Sequence, residues 1–158
     1  MVTWAEFAAA APDLAAKGRR LLYRSDHGEA LLATVREDAP PRIHPISVGI
    51  VGDRLYAFML ASPKRRDLDE DGRYALHTHQ DASVPNEFMI RGRADRIEDA
   101  AVRSAVAAEW SFDPDETYAL FEFSIGSALL GTRSSQDDWP PHYSSWAAEP
   151  GQTATSGR

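Results

Sequence analysis

From Glu29 onward the spacing of apolar residues changes from helical to alternating, and that change constrains the fold more than any other feature of the chain. Upstream of it, Thr3 followed by Glu6 reads as a capping box, Trp4, Phe7 and Ala8 open an apolar face, and Pro12 breaks or restarts a helix that continues to about Leu22. Downstream, "EALLATVRE", "RIHPISVGIV" and "RLYAFML" are short runs rich in strand formers, separated by "DAPP" and by Gly52-Asp53, both turn signals. They predict a three-strand meander. A short helix at 62–71 follows, then "RYALHTHQ" and "NEFMIRGRADRIE", an Ala-rich helix from about Asp99 to Trp110, and two more runs, "ETYALFEFS" and "SALLGTR". These strand runs, with helices as punctuation and not as regular crossovers, predict a mainly β (α+β) chain. The expected architecture is an antiparallel barrel; a doubly wound parallel sheet is disfavoured.

With 158 residues, 43% of them hydrophobic, the chain suits one globular domain with a real core. The expected division is a helical segment at 1–24 packed on the barrel, a barrel domain at 25–134, and a C-terminal loop and flexible tail at 135–158. Trp139, Tyr143 and Trp146 lie in that last, loop-like segment. A ligand lid or a subunit interface would use such aromatics, but near a chain end they more often pin the tail onto the core.

A net charge of −7 disfavours a general nucleic-acid surface and makes the Lys64-Arg65-Arg66 cluster a local feature. The chain has no cysteine, which excludes disulfides, thiolate nucleophiles and cysteine-ligated metal centres, so redox chemistry requires a bound cofactor. Acidic Glu6 and Asp13 and the lack of a long apolar stretch argue against a signal peptide and a membrane span. The expectation is a soluble, cytoplasmic protein. Walker, G-x-G-x-x-G and G-x-S-x-G motifs are missing, so nucleoside triphosphate, Rossmann and serine-hydrolase readings lack their parts.

The helix in "ASPKRRDLDED" carries its charges against its dipole. Ser62 suits the N-cap and Pro63 the first helical position, yet Lys64, Arg65 and Arg66 crowd the positive end while Asp69, Glu70 and Asp71 occupy the negative one. An anion at the first turn would reconcile this; so would a solvated helix in which Arg65 pairs with Asp69. Elsewhere, His77 and His79 share one side of a strand, the spacing of a two-histidine clamp, but no third ligand is visible and no metal is expected. His44 precedes Pro45 within a strand, which marks an edge or bulge where backbone can face a ligand. Asp26, Asp53, Glu87 and Asp95 read as solvated surface.

Together, "LLATVREDAPPRIHPISVGIVGDRLYAFMLASPKRRDLDEDGRYALHT" resembles the pyridoxamine 5'-phosphate oxidase-like, flavin-binding split-barrel superfamily, with the likeness spanning roughly residues 2 to 133. It rests on the order of a P-R-x-H-P-[IV] strand, an L-Y-x-F strand, the S-P-K-x-R-D-L segment and the strand "RYALHT", followed by "FMIRGRADRIED". The resemblance implies a six- or seven-stranded split barrel that dimerises, with flavin mononucleotide (FMN) at the dimer interface. It implies that Ser62, Lys64 and Arg65 bind the phosphate with help from Arg42. It further implies that the backbone from Ile43 through His44 and Pro45 to Ile46 lines the ring. Met59 stands where relatives often carry a hydroxyl, and the tail does not match the substrate-binding end of pyridoxamine 5'-phosphate oxidase, so vitamin B6 oxidation is not expected. Branches using the deazaflavin coenzyme fit as well as FMN branches.

The resulting expectation is a flavin- or deazaflavin-dependent oxidoreductase in which the cofactor does the hydride chemistry on a small-molecule substrate and no side chain need be catalytic. A non-catalytic flavin- or haem-binding module is the alternative from another class. A metal-dependent hydrolase using His77 and His79 ranks below both. A homodimer is expected, with the strands of Met59 and Met89 supplying apolar interface residues.

Overall fold

The computed structural model describes residues 1–80, 83 and 85–149. Two helices, α1 (Trp4–Ala10) and α2 (Pro12–Leu22), lead into the meander β1 (Gly28–Arg36), β2 (Ala39–Val51) and β3 (Arg54–Met59). Then come α3 (Pro63–Glu70), β4 (Arg73–His77), β5 (Glu87–Ile97), α4 (Ala100–Ala108), β6 (Ala119–Thr132) and β7 (His142–Ala147). Every strand pair is antiparallel, in the order β3-β2-β1-β4-β5-β6-β7, and a further β3–β6 pairing closes the first six into a barrel. The architecture is the antiparallel barrel that the alternating runs predict, with the split that the resemblance implies.

Local chemistry explains where the elements start. Thr3 caps α1 by accepting from the Glu6 N–H at 3.2 Å, while the Glu6 carboxylate accepts from the Thr3 N–H at 2.8 Å, the reciprocal pair expected of a capping box. Thr3→Ala is expected to cost about 1 kcal/mol and to lower Tm by about 2–4 °C. A melt indistinguishable from wild type would show that packing of Trp4 and Phe7, both buried, holds α1 without its cap. Gly52, at φ +55, makes the tight β2–β3 turn in a region that favours glycine.

Two differences from the sequence reading stand out. The runs "ETYALFEFS" and "SALLGTR" belong to one strand, β6, because β5 pairs along its whole length and a bulge at Arg91/Gly92 absorbs the irregularity without a turn. Gly92 is required there: a Cβ would lie 1.9 Å from the Ser124 carbonyl oxygen. The second difference is the C-terminal segment expected to be loop, where residues 142–147 pair with 127–132 as β7. Its side chains are mostly exposed, so it lacks the apolar alternation that marks a strand, and the pairing comes from the edge β6 offers. Trp146 is half-buried with its ring centroid 5.1 Å from that of Phe7. The small-polar tail expected to be flexible, from residue 150, lies outside the described residues.

The main core gathers Phe7, Leu32, Phe88, Ile90, Phe123 and Ile125 inside the barrel, with Leu14 and Leu22 of α2 closing one end. A smaller cluster of Tyr56, Phe58, Val106 and Leu120 seats α4 on β3 and β6. Met59 belongs to the core, 2% exposed, so its expected place in a subunit interface is corrected: β3 lies between β2 and β6, and its last five residues are all buried. Met89 does face outward and is half-buried.

Candidate functional site

The barrel opens where β2 and β3 part. β3 pairs with β2 only at Gly49–Val51 and then with β6 from Tyr56 to Met59, while β2 continues along β1 from Val48 back to Ala39. The edge of β2 facing away from β1 therefore has no strand partner over residues 39–48 among the described residues. A cleft of about 650 Å³ fills the gap, within the range of ordinary small-molecule sites, about 300–1,000 Å³. One wall is Pro45, Ile46 and Ser47 of β2, and the other runs from Phe58 through Met59 and Leu60 to Ala61. The first turn of α3 closes one end with Ser62 and Lys64; Glu29 and His79 also border the cleft, and Phe112 and Tyr118 complete it.

Ser62 has extended backbone, and its hydroxyl oxygen accepts from the Arg65 N–H at 3.4 Å, which starts α3 at Pro63. The Lys64 ammonium reaches over the gap to donate to the Pro45 carbonyl at 2.9 Å, and burial pushes its pKa below the ordinary lysine range. It has no carboxylate partner among the described residues. Arg65 turns elsewhere: its guanidinium donates to the Thr117 carbonyl at 3.2 Å and lies 3.9 Å from Asp69. Arg66 is exposed.

Asp67, 1% exposed, fastens α3 to the barrel. It accepts from the Thr34 hydroxyl at 2.8 Å and lies 3.9 Å from the Arg36 guanidinium and 3.7 Å from that of Arg42. The acids at the negative end of the helix are likewise matched from outside it, Asp69 by Arg96 at 3.8 Å and Asp71 by Arg73.

Of the residues singled out from the sequence, Pro45, Ile46, Met59, Ser62 and Lys64 line the cleft. Arg42, Ile43, His44 and Arg65 do not. Arg42 is held by Asp67, Ile43 stands 68% exposed on the outer face of the sheet, and the His44 ring buries Nε2 without a hydrogen-bond partner. His77 sets Nδ1 2.7 Å from the Thr78 carbonyl and Nε2 3.2 Å from Glu87, while His79 borders the cleft. Among the described residues no three His, Asp or Glu side chains gather as a metal site. Glu29, Ser47, Phe58, Leu60, Phe112 and Tyr118 escaped the sequence reading. Glu29 and Ser47 were reachable in principle, since they are register partners on the outward side of β1 and β2, but Phe112 and Tyr118 sit in an irregular stretch after α4 with no periodic signal.

No family model and no curated protein matches this chain. Solved structures do. A pyridoxinephosphate oxidase family protein of Clostridium acetobutylicum related to general stress protein 26 superposes with TM-score 0.61 at 13% identity, over 84% of this chain and 92% of that one. A FAD-binding protein of Mesorhizobium loti gives TM-score 0.52 at 16% identity over 72% and 90%. The fold is the pyridoxamine 5'-phosphate oxidase-like split barrel. A haem-binding protein of Mycobacterium smegmatis shares this split barrel, with TM-score 0.61 at 15% identity over 84% of this chain, which spans 57% of that longer protein. At these identities the likeness is one of fold. In the split barrel of this chain the cleft lies at the split itself, between the free edge of β2 and the first turn of α3.

Its residues are compatible with a phosphate-bearing aromatic cofactor. Lys64 supplies a cation with no counter-ion among the described residues, Ser62 a hydroxyl, and the first turn of α3 a positive dipole end, all at one extremity. Phe58, Met59, Phe112 and Tyr118 supply apolar and aromatic wall beside the unpaired strand edge.

Proposed function

We propose that the protein is an FMN-binding oxidoreductase that holds its cofactor in this cleft and turns over a small-molecule substrate. The observation that carries the reading is Lys64: a half-buried ammonium at a helix start, in a cleft, hydrogen-bonded to the Pro45 carbonyl and with no carboxylate partner among the described residues. Ser62 and Lys64 hold the phosphate. The backbone of Pro45 and Ile46 runs beside the ring, with Met59 beneath it, while Arg42 and Arg65 stay in their own ion pairs. When bound, the flavin supplies hydride and electron transfer between a donor and an acceptor, and the protein positions it. Leu60 and Phe112, 48% and 41% exposed, shield the mouth from water. The deazaflavin coenzyme, also a phosphate ester, fits the same reading.

A homodimer belongs to this function. On the outward side of the sheet Ile43 is exposed and Leu31, Met89 and Leu129 are half-buried, with His77 between Leu31 and Met89, and a second copy laid across them would bury these apolar side chains beside the mouth of the cleft. Light scattering over a concentration series with FMN present is expected to give twice the chain mass; monomer mass throughout would remove the shared site.

One observation favours a second reading, a haem-binding module. His79 borders the cleft, and an imidazole is a common axial ligand of haem iron. The absorbance spectrum of the purified protein, with mass analysis of what it releases on denaturation, separates the two. A flavin spectrum, or flavin fluorescence quenched on titrating FMN into cofactor-free protein, is the expected result. A Soret band, or no FMN binding at all, would overturn the first reading.

A further inference from the structure

A second cavity, of about 260 Å³, lies behind the cleft, between the C-terminal ends of α2 and α4 and the last residues of β2. Ser47 borders both spaces. His27 lines the second and meets Glu29, which lines the first, at 3.1 Å.

The walls of the second cavity are fixed by specific contacts. The Tyr23 hydroxyl accepts from the Ile50 N–H at 2.7 Å, which pins the ring to β2, and the Arg19 guanidinium lies over that ring, 5.3 Å from its centroid. Opposite, Trp110 packs against Gly49, where a Cβ would come within 2.4 Å of the indole, and sets its ring edge-on to Phe58 at 5.1 Å. The indole Nε1 of Trp110 is buried with no hydrogen-bond partner among the described residues.

Charges of both signs stand at the rim. Arg19 has no carboxylate partner among the described residues, and neither Asp26 nor Glu109 has a cationic one, although all three border the same space. A simple anion would meet the two acids, and a simple cation would meet Arg19. A molecule carrying both charges close together satisfies the set. The volume lies below the range for drug-sized ligands, which limits the occupant to something small.

We infer that this cavity is a binding site for a small zwitterion of amino-acid size, its carboxylate towards Arg19 and its ammonium towards Asp26 and Glu109. The site is independent of the cofactor reading, since Lys64 takes no part in it.

The test uses the whole chain, screened by thermal melting with free L-α-amino acids and followed by isothermal titration of those that raise Tm. Each binder is then repeated as its N-acetyl derivative and as its methyl ester, which remove one charge at a time. At least one free amino acid is expected to bind saturably, and each blocked form to bind about tenfold or more weakly. Arg19→Ala and Glu109→Gln are expected to weaken it by a similar factor; both positions are exposed, and unchanged apo melting checks that each variant folds. Lys64→Ala is expected to leave amino-acid binding unchanged, which keeps this result separate from failure of the FMN reading. No saturable binding by any amino acid, equal binding of a blocked form, or equal binding by the Arg19→Ala and Glu109→Gln variants would overturn the site.

Discussion

In Lys64→Ala, FMN is expected to bind about 10- to 150-fold more weakly than in the wild type, while riboflavin, which has the ring without the phosphate, binds both proteins alike. The factor follows from losing one charge-assisted hydrogen bond, worth about 1.5–3 kcal/mol. A half-buried ammonium with no carboxylate partner among the described residues gives the phosphate the whole of its charge, and the affinity for FMN should fall towards that for riboflavin. Without ligand the substitution removes the bond to the Pro45 carbonyl and also relieves a cation at the positive end of α3. These terms oppose each other and each is about 1 kcal/mol or less, so apo stability should shift by less than about 1 kcal/mol. Titrating both ligands against both proteins by flavin fluorescence, with apo melts alongside, checks it. Equal weakening of FMN and riboflavin, or a clearly destabilised apo protein, would make Lys64 a structural residue and remove the main support for the proposed function.

Asp67→Ala is expected to destabilise the protein by about 3 kcal/mol, or about 6–12 °C in Tm. The buried carboxylate accepts from the fully buried Thr34 hydroxyl and sits between Arg36 and Arg42. Its removal strands all three. The figure is taken at the low end for a broken buried pair because the arginine side chains are 33% and 29% exposed and water recovers part of their charge. Asp67→Asn, which keeps an acceptor for Thr34, should lose less. A loss under about 1 kcal/mol in Asp67→Ala would mean that Leu68, 3% exposed, anchors α3 by apolar packing alone.

Much of the barrel was legible because strand alternation and turn chemistry act over a few residues. The three runs after Glu29 fold as β1, β2 and β3 with the turn at Gly52, and the Thr3 and Ser62 caps start α1 and α3. What misled was also local. Gly126 and its small neighbours look like a break, yet β5 holds β6 extended across them, and "HYSSWA" has no buried face to announce a strand until the edge of β6 is there to pair with it.

The candidate site divides the same way. Pro45, Ile46, Ser62 and Lys64 stood out because a proline in a strand and cations at a helix start are misfits visible in the sequence. Which misfits face the cleft is a matter of closure. Three adjacent cations diverge: Lys64 goes to β2, Arg65 to Thr117 and Arg66 to the exposed surface. Arg42, on the same strand as Pro45, is claimed by Asp67.

By itself the sequence determined the types of the elements from α1 to α4 and from β1 to β5, and the presence of an unbalanced charge at the start of α3. These depend on backbone preference and on neighbours within a turn or two. Tertiary structure alone decided where the barrel splits, which of the three cations of α3 faces the cleft, and that Phe112 and Tyr118 join the cleft. Each of those depends on pairings such as Tyr56 with Glu122, between residues far apart in the chain, whose partner is selected only when the whole barrel closes around a shared core.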